Sequence, residues 1–151
     1  MVVRTTCLRY DPLMFDRCLY FNTNHLSRVV SKIWHQAFAE FNLAPAHAYL
    51  LRLVIQQPGL AQKQIASILY LEKSTVTRFI DKMVSEGYLV RKSATSGNLK
   101  EQLIFPTNKA NKIGVRLEEI GDGLYKQMTE TIDGNELKKL VKGISELANK
   151  L

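Results

Sequence analysis

The sequence predicts a mainly α-helical chain with one small β-hairpin, and three observations carry that expectation. Apolar residues recur with a helical period from residue 13 to residue 85 and again from residue 108 to the end. Between residues 88 and 107 that period gives way to two short strand-like runs, YLVRKS and EQLIFPT. Pro and Gly fall between the periodic stretches rather than inside most of them, as at Pro45, Pro58-Gly59 and Gly87.

The first element is a long helix from Leu13 to Phe41, with Leu26, Val29, Val30, Ile33, Trp34, Ala37, Phe38 and Phe41 among its apolar positions. Asn42 and Pro45 mark the break after it. A helix of about a dozen residues, Ala46 to Gln57, carries Tyr49, Leu50, Leu53 and Val54, and Pro58-Gly59 stops it. A short helix from Gln62 to Leu69 turns Ile65, Ala66 and Leu69 inward. The next, Lys73 to Ser85, gathers Val76, Phe79, Ile80, Met83 and Val84 on one face, and Gly87 suits a left-handed C-terminal cap. The two strands follow, Tyr88 to Ser93 and Glu101 to Thr107. The segment between them, ATSGNLK, has the small, polar composition of a hairpin turn. Two helices close the chain. Ile113, Leu117, Ile120, Leu124 and Met128 stripe the first, and Leu137, Leu140 or Val141, Ile144, Leu147 and Leu151 stripe the second, after the Asp133-Gly134 break.

Composition narrows the function classes. At 151 residues, 46% hydrophobic and 23% charged, the chain suits one globular protomer with its own core. The two cysteines, Cys7 and Cys18, form no CxxC pair, and His25, His35 and His47 have no metal-ligand spacing, so no metal or cofactor is expected. No apolar run approaches the ~20 residues that span a bilayer, and the first residues lack a signal-peptide pattern; the expected location is the cytoplasm, without membrane contact. Gly-rich phosphate loops, G-x-S-x-G, H-E-x-x-H and a credible acid–base pair are all missing, so no catalytic residue and no enzyme activity is expected.

The middle block reads helix, short turn, helix, hairpin, which is the order of a winged helix-turn-helix. There the second helix enters the DNA major groove and the hairpin reaches the backbone or minor groove. Charge agrees with that order. Residues 59–100 hold seven Lys/Arg against three Asp/Glu, the largest positive surplus in a chain of net charge +7. Opposite the apolar face of the Lys73–Ser85 helix stand Ser74, Thr75, Thr77, Arg78, Asp81 and Lys82. The hydroxyls of its first turns can pair with base edges or phosphates, and Arg78 can read guanine bidentately. Lys63, Gln64, Lys73 and Lys82 are expected to grip phosphates. The winged helix-turn-helix is expected to span residues 46–107, with 59–107 contacting DNA. The aliphatic stripes of residues 13–41 and 108–151 exceed what so small a lobe can bury. A second copy of the chain is their simplest partner, and a dimer would match a palindromic site.

From Leu60 to Lys92, LAQKQIASILYLEKSTVTRFIDKMVSEGYLVRK resembles the MarR family of bacterial transcription regulators, and the flanking long helices extend the resemblance over roughly residues 13–151. The resemblance implies a single MarR-like protomer over residues 1–151. It further implies a homodimer with interlocking N- and C-terminal helices, a wing on each side, repression as the commoner mode, and release by a small-molecule or oxidant effector. The implied wing carries Asp-x-Arg, with the Arg entering the minor groove. Here Asn98 and Lys100 occupy those positions, and Pro106 and Ala110 replace the Leu and Gly that open the next helix. Lys100 keeps the charge but not the fork of donors, so a weaker wing contact is expected, with Arg91 or Lys92 sharing the role.

Cys18 is a redox candidate, since one branch of the family carries a reactive cysteine near the start of the first long helix; a small buried thiol is the competing expectation. Trp34, Phe41 and Tyr49 are candidates for an effector pocket and equally for plain core. The competing functions are an architectural DNA binder without sequence preference and a winged helix used for protein contact.

Overall fold

The computed structural model describes residues 13–96 and 99–151, with side chains described from 15 to 94 and from 101 to 151. The chain folds as seven helices and a small antiparallel sheet among these residues. α1 is Leu13–Asp16, α2 Leu19–Ala37, α3 Pro45–Gln56, α4 Gln62–Ile68 and α5 Lys73–Ser85. Strands β2 (Leu89–Ser96) and β3 (Leu99–Pro106) form the wing, and β1 (Leu60–Ala61) adds a third, edge strand. α6 (Asn108–Thr131) and α7 (Gly134–Ala148) complete the chain. The winged helix-turn-helix and the flanking long helices are the expected fold class.

The expected single helix from Leu13 to Phe41 is interrupted. Cys18 adopts an extended backbone between α1 and α2, and the break is stabilised by Asn22. Its amide Nδ2 donates to the carbonyls of Phe15, Asp16 and Cys18 at 2.9, 3.2 and 2.9 Å, tying the two helices together across the break. Across the bend the rings of Phe15 and Phe21 meet at 4.9 Å between centroids. At the other end, residues Ala39–Phe41 form a 3-10 turn that closes on Asn42 in the left-handed region, where its polar side chain is tolerated.

One core holds the lobe together. Leu50, Leu51 and Val54 of α3, Ile65 of α4 and Val76, Ile80 and Met83 of α5 are completely buried in it, joined by Phe38, Ile104 and Leu117. Each such side chain contributes about 1.5–3 kcal/mol by leaving water. Phe79 and Val84 pack at the edge of the same cluster. The expected stripe of α5 is therefore the face that docks it.

The sheet has strand order β1-β3-β2, with Leu60 opposite Ile104 and Leu89 opposite Pro106. The strands of the hairpin run further than expected. Ala94, Thr95 and Ser96 pair with Glu101, Lys100 and Leu99, so most of the expected loop is ladder. The Gly97-Asn98 pair lies outside the described residues. Strand β1 is an unexpected element. It is only two residues long, and it forms because Gly59, at φ 88°, turns the chain so that its N–H donates to the Ile104 carbonyl at 2.8 Å. A Cβ at Gly59 would stand 3.2 Å from the Phe105 ring, so both conformation and space call for glycine.

The junction between α5 and the wing is a Schellman motif. Gly87 sits at φ 76°, its N–H donates to the Val84 carbonyl at 3.0 Å, and Tyr88 N–H donates to Met83 at 2.9 Å. Thr107 then ties the wing's exit to the same turn, its hydroxyl donating to the Gly87 carbonyl at 2.7 Å and accepting from Ala110 N–H as the cap of α6. Asp133 caps α7 by accepting from the N–H groups of Asn135 and Glu136. No helix among the described residues is long and apolar enough to cross a membrane.

The lobe is joined to α6 by a bidentate ion pair. Arg52 of α3 donates Nε and Nη2 to Glu118 at 2.9 and 2.7 Å, and Gln56 adds a bond of 3.1 Å. The guanidinium lies against Gly121, where a Cβ would stand 2.8 Å from Nη1. Gly87 has open space around its Cα, so any loss on substitution there is purely conformational. Gly87→Ala is expected to lower the unfolding free energy by about 1–2 kcal/mol in urea titrations, and an unchanged midpoint would contradict the cap.

Candidate nucleic-acid interface

The sequence of α5 dictates which of its faces is free. With Val76, Ile80 and Met83 locked into the core, Ser74, Arg78, Asp81 and Lys82 are exposed on the far side, and Thr75 and Thr77 are half-buried at its margins. The helix starts without a side-chain cap. Glu72 occupies the cap position but bonds to no first-turn amide, so those N–H groups remain available to an outside acceptor. Thr77 is only partly available, because its hydroxyl donates to the Lys73 carbonyl at 2.8 Å and accepts from Gln62 of α4.

The candidate cations divide into two groups. Lys63, Lys73, Arg78 and Lys92 are exposed and lack an acidic partner among the described residues. Lys92 lies over the Phe105 ring, 4.8 Å from its centroid, which leans the ammonium along the outer side of the wing. Arg91 and Lys82 are already engaged. Arg91 forms an ion pair with Asp81, bracing the base of the wing on α5, and Lys82 stands 3.8 Å from Glu86. Gln64 is also part of the scaffold: its Oε1 accepts from Ala61 N–H at 2.8 Å, one half of a capping box whose other half Ala61 cannot supply. Its NH2 group stays exposed beside Lys63. The Lys100 backbone pairs with Thr95, but its side chain and all of Asn98 lie outside the described residues.

Sequence reasoning missed Gln62 and the Asp81–Arg91 brace. Both join residues ten to fifteen positions apart on different elements, where no periodicity exposes a pairing. Cys18 is a half-buried free thiol at the α1–α2 break, and Cys7 lies outside the described residues. Among the described residues no three His, Cys, Asp or Glu side chains gather as a metal site. A cavity of about 630 Å³ opens between α2, α3, α6 and α7, with Trp34, Tyr49, Tyr125 and Met128 in its walls and Lys138 and Lys142 at its rim. Trp34 Nε1 donates to the Tyr49 hydroxyl at 2.9 Å. Phe41 is not in those walls; it packs against the lobe's core.

Comparison with known proteins agrees with this fold. Residues 43–97 match the MarR family model, which bears out the resemblance carried by Leu60 to Lys92. A Bacillus subtilis protein described as an uncharacterized HTH-type transcriptional regulator, YybA, is 25% identical over 97 residues, and the match spans 64% of this chain and 64% of that protein. Among solved structures, the transcriptional repressor CouR bound to a 23-mer DNA duplex superposes with a TM-score of 0.79 at 19% identity, over 90% of this chain and 96% of that one. The PcaV transcriptional regulator from Streptomyces coelicolor, in complex with its natural ligand, gives 0.78 at 17% identity, over 89% and 94%. At these identities the structural likeness establishes the fold.

One buried polar group bears on how firmly α5 is held. His47 of α3 packs edge-on against Phe79 of α5, 4.7 Å between ring centroids, with its Nδ1 buried and unpartnered. Burial, and secondarily the Lys82 ammonium, hold its pKa below the ordinary histidine value, while Glu86 works the other way. The native state therefore prefers neutral His47, and the unfolded chain takes up a proton first as the pH falls below about 6.5. Stability is expected to be complete above that pH and to decline toward pH 5, with a shallower decline in His47→Gln. Thermal melting across that range checks it, and equal slopes for both proteins would refute it.

Proposed function

We propose that this chain is a DNA-binding transcription regulator, a repressor, that binds a pseudo-palindromic operator as a homodimer and is released by a small-molecule or oxidant effector. The observation that carries the reading is the free face of α5. An uncapped helix N-terminus, exposed Ser74 and Arg78, and exposed Lys63, Lys73 and Lys92 gather on the helix-turn-helix and its wing. Hydroxyls and a guanidinium suit base edges, while lysines suit phosphates. On this reading Arg91, Lys82 and Gln64 act mainly by holding the surface in shape, since each is already bonded within the lobe.

Dimerisation is supported by apolar surface that the protomer leaves uncovered. α7 buries none of its residues in the protomer, and Leu140 and Ile144 are 47% and 48% exposed. They line a groove with Leu19 and Leu26 of α2. Association of two copies would remove this surface from water at about 25 cal/mol per Å². The effector is supported by the Trp34–Tyr49–Tyr125 cavity, whose walls are mostly apolar and whose lining carries Lys138 and the ion-paired Lys142 and Glu146.

The test is binding to duplexes from the region upstream of the protein's own coding sequence, in a gel-shift or filter assay. Tight, sequence-selective binding that weakens steeply with salt is expected. Arg78→Ala should cost about 1–3 kcal/mol and relax preference at one base position, whereas Lys63→Ala should weaken all sequences alike and lower the salt slope by about one unit per protomer. Uniform binding to every duplex would favour an architectural role, and binding to none would favour protein contact.

A further inference from the structure

Resting on the proposed DNA-reading function, we infer that Thr77, held by Gln62, is an acceptor-only reader that selects an amino-bearing base, adenine or cytosine, at one position of each half-site. Gln62 opens α4, and its Nε2 donates to the Lys73 carbonyl at 3.3 Å and to the Thr77 hydroxyl. A backbone carbonyl only accepts, so the amide must face Lys73 with its nitrogen, which fixes the orientation of the whole group. Thr77 donates its one hydroxyl proton to the same carbonyl at 2.8 Å. Oγ1 can therefore only accept from Gln62, and the two assignments require each other.

The remaining hydrogen-bonding capacity follows by inventory. A glutamine amide has two N–H donors and a threonine hydroxyl has one. The threonine proton is engaged by the Lys73 carbonyl, and the glutamine nitrogen faces that carbonyl and Thr77 Oγ1 together. What Thr77 keeps for an outside group is the second lone pair of Oγ1, an acceptor. Each residue is half-buried, and on α5 Thr77 lies between Ser74, one turn before it, and Arg78, both exposed.

An acceptor-only edge is a poor ligand for phosphate, whose oxygens also accept. In the major groove it matches the N6 amino group of adenine or the N4 amino group of cytosine, and it is repelled by guanine O6 and thymine O4. The pair is also held in place before DNA arrives, so little rotamer freedom remains to be lost on binding. Thr77 is thus a base reader of defined polarity, and Gln62 is the positioning residue that gives it that polarity. Ser74, exposed and without such a lock, keeps its donor and stays free to meet phosphate.

The experiment selects binding sites from randomised duplexes with the full-length protein, its Thr77→Val variant and its Gln62→Met variant. Each selected adenine or cytosine is then replaced by the analogue lacking the amino group, purine or 2-pyrimidinone. The unsubstituted protein should lose about tenfold in affinity on removal of one particular amine, equivalent to about 1.4 kcal/mol. Thr77→Val, which keeps the side chain's shape, should bind both duplexes alike, and Gln62→Met should discriminate less than the unsubstituted protein. The inference is overturned if no amine removal matters, or if the variants weaken binding equally to every duplex, as a mere buttress between α4 and α5 would. The analogue arm uses the unsubstituted protein, so it decides even where a variant does not fold. If the unsubstituted protein enriches no sequence at all, the DNA-reading function itself fails and takes the inference with it; enrichment without amine dependence defeats the inference alone.

Discussion

The burial of Val76, Ile80 and Met83 is the constraint on which the rest of this structure depends. Those three side chains pin α5 to α3 and α4, and together they contribute on the order of several kcal/mol by area alone. With that face fixed, the opposite face has to be polar and solvent-exposed. The Schellman turn at Gly87 sets the angle at which the wing departs, and the Asp81–Arg91 pair holds the wing's base against the helix. The exposed chemistry is therefore presented by a rigid element rather than by a loop, which is what a surface that reads another molecule's atoms requires.

Much of this was legible in the sequence because helical periodicity reports burial directly. The limits of α5 coincide with the expected ones, and those of α3 and α4 differ by one residue at most. Gly87 was recognisable because its place after the last apolar residue has a single strong conformational meaning. The failures share a cause. The α1–α2 break depends on Asn22 reaching back to three carbonyls, β1 depends on pairing with a strand more than forty residues away, and the longer hairpin ladder depends on registry rather than composition. None of these leaves a periodic trace. The candidate surface divides in the same way. Exposure of Ser74, Arg78 and Lys63 follows from helix phase, but the engagement of Arg91, Lys82, Gln64 and Thr77 is a tertiary fact that phase does not contain.

His47 shows that the lobe tolerates a local cost at this same contact. A buried imidazole with an unpartnered nitrogen is less stabilising than an apolar side chain of equal volume would be. Its edge-to-face contact with Phe79 recovers part of that cost, of order 0.5–1.5 kcal/mol for an aromatic pair. The α3–α5 contact is thus firm at its centre, where Leu50, Ile80 and Met83 meet the core, and softer at its His47 margin.

That gradient gives the cavity a physical route to α5. Tyr49 stands in the cavity wall and Arg52 lies three residues along the same helix, the guanidinium 5.6 Å from the Tyr49 ring centroid. Arg52 is also bonded to Glu118, and this mutual contact raises the arginine's pKa and lowers the carboxylate's. The Arg52–Glu118 bridge crosses beside Gly121, which lines the cavity and whose lack of a side chain lets the guanidinium lie close. An occupant of the cavity therefore meets α3 and α6 where they are fastened to each other. α3 in turn carries the core face against which α5 is packed, so a change in the tilt of α3 relative to α6 would shift the seat of α5. Close-packed interfaces of this kind transmit small shifts rather than absorb them. The proposed effector would need to favour one tilt over the other by only a few kcal/mol to alter the placement of both copies of α5 in a dimer.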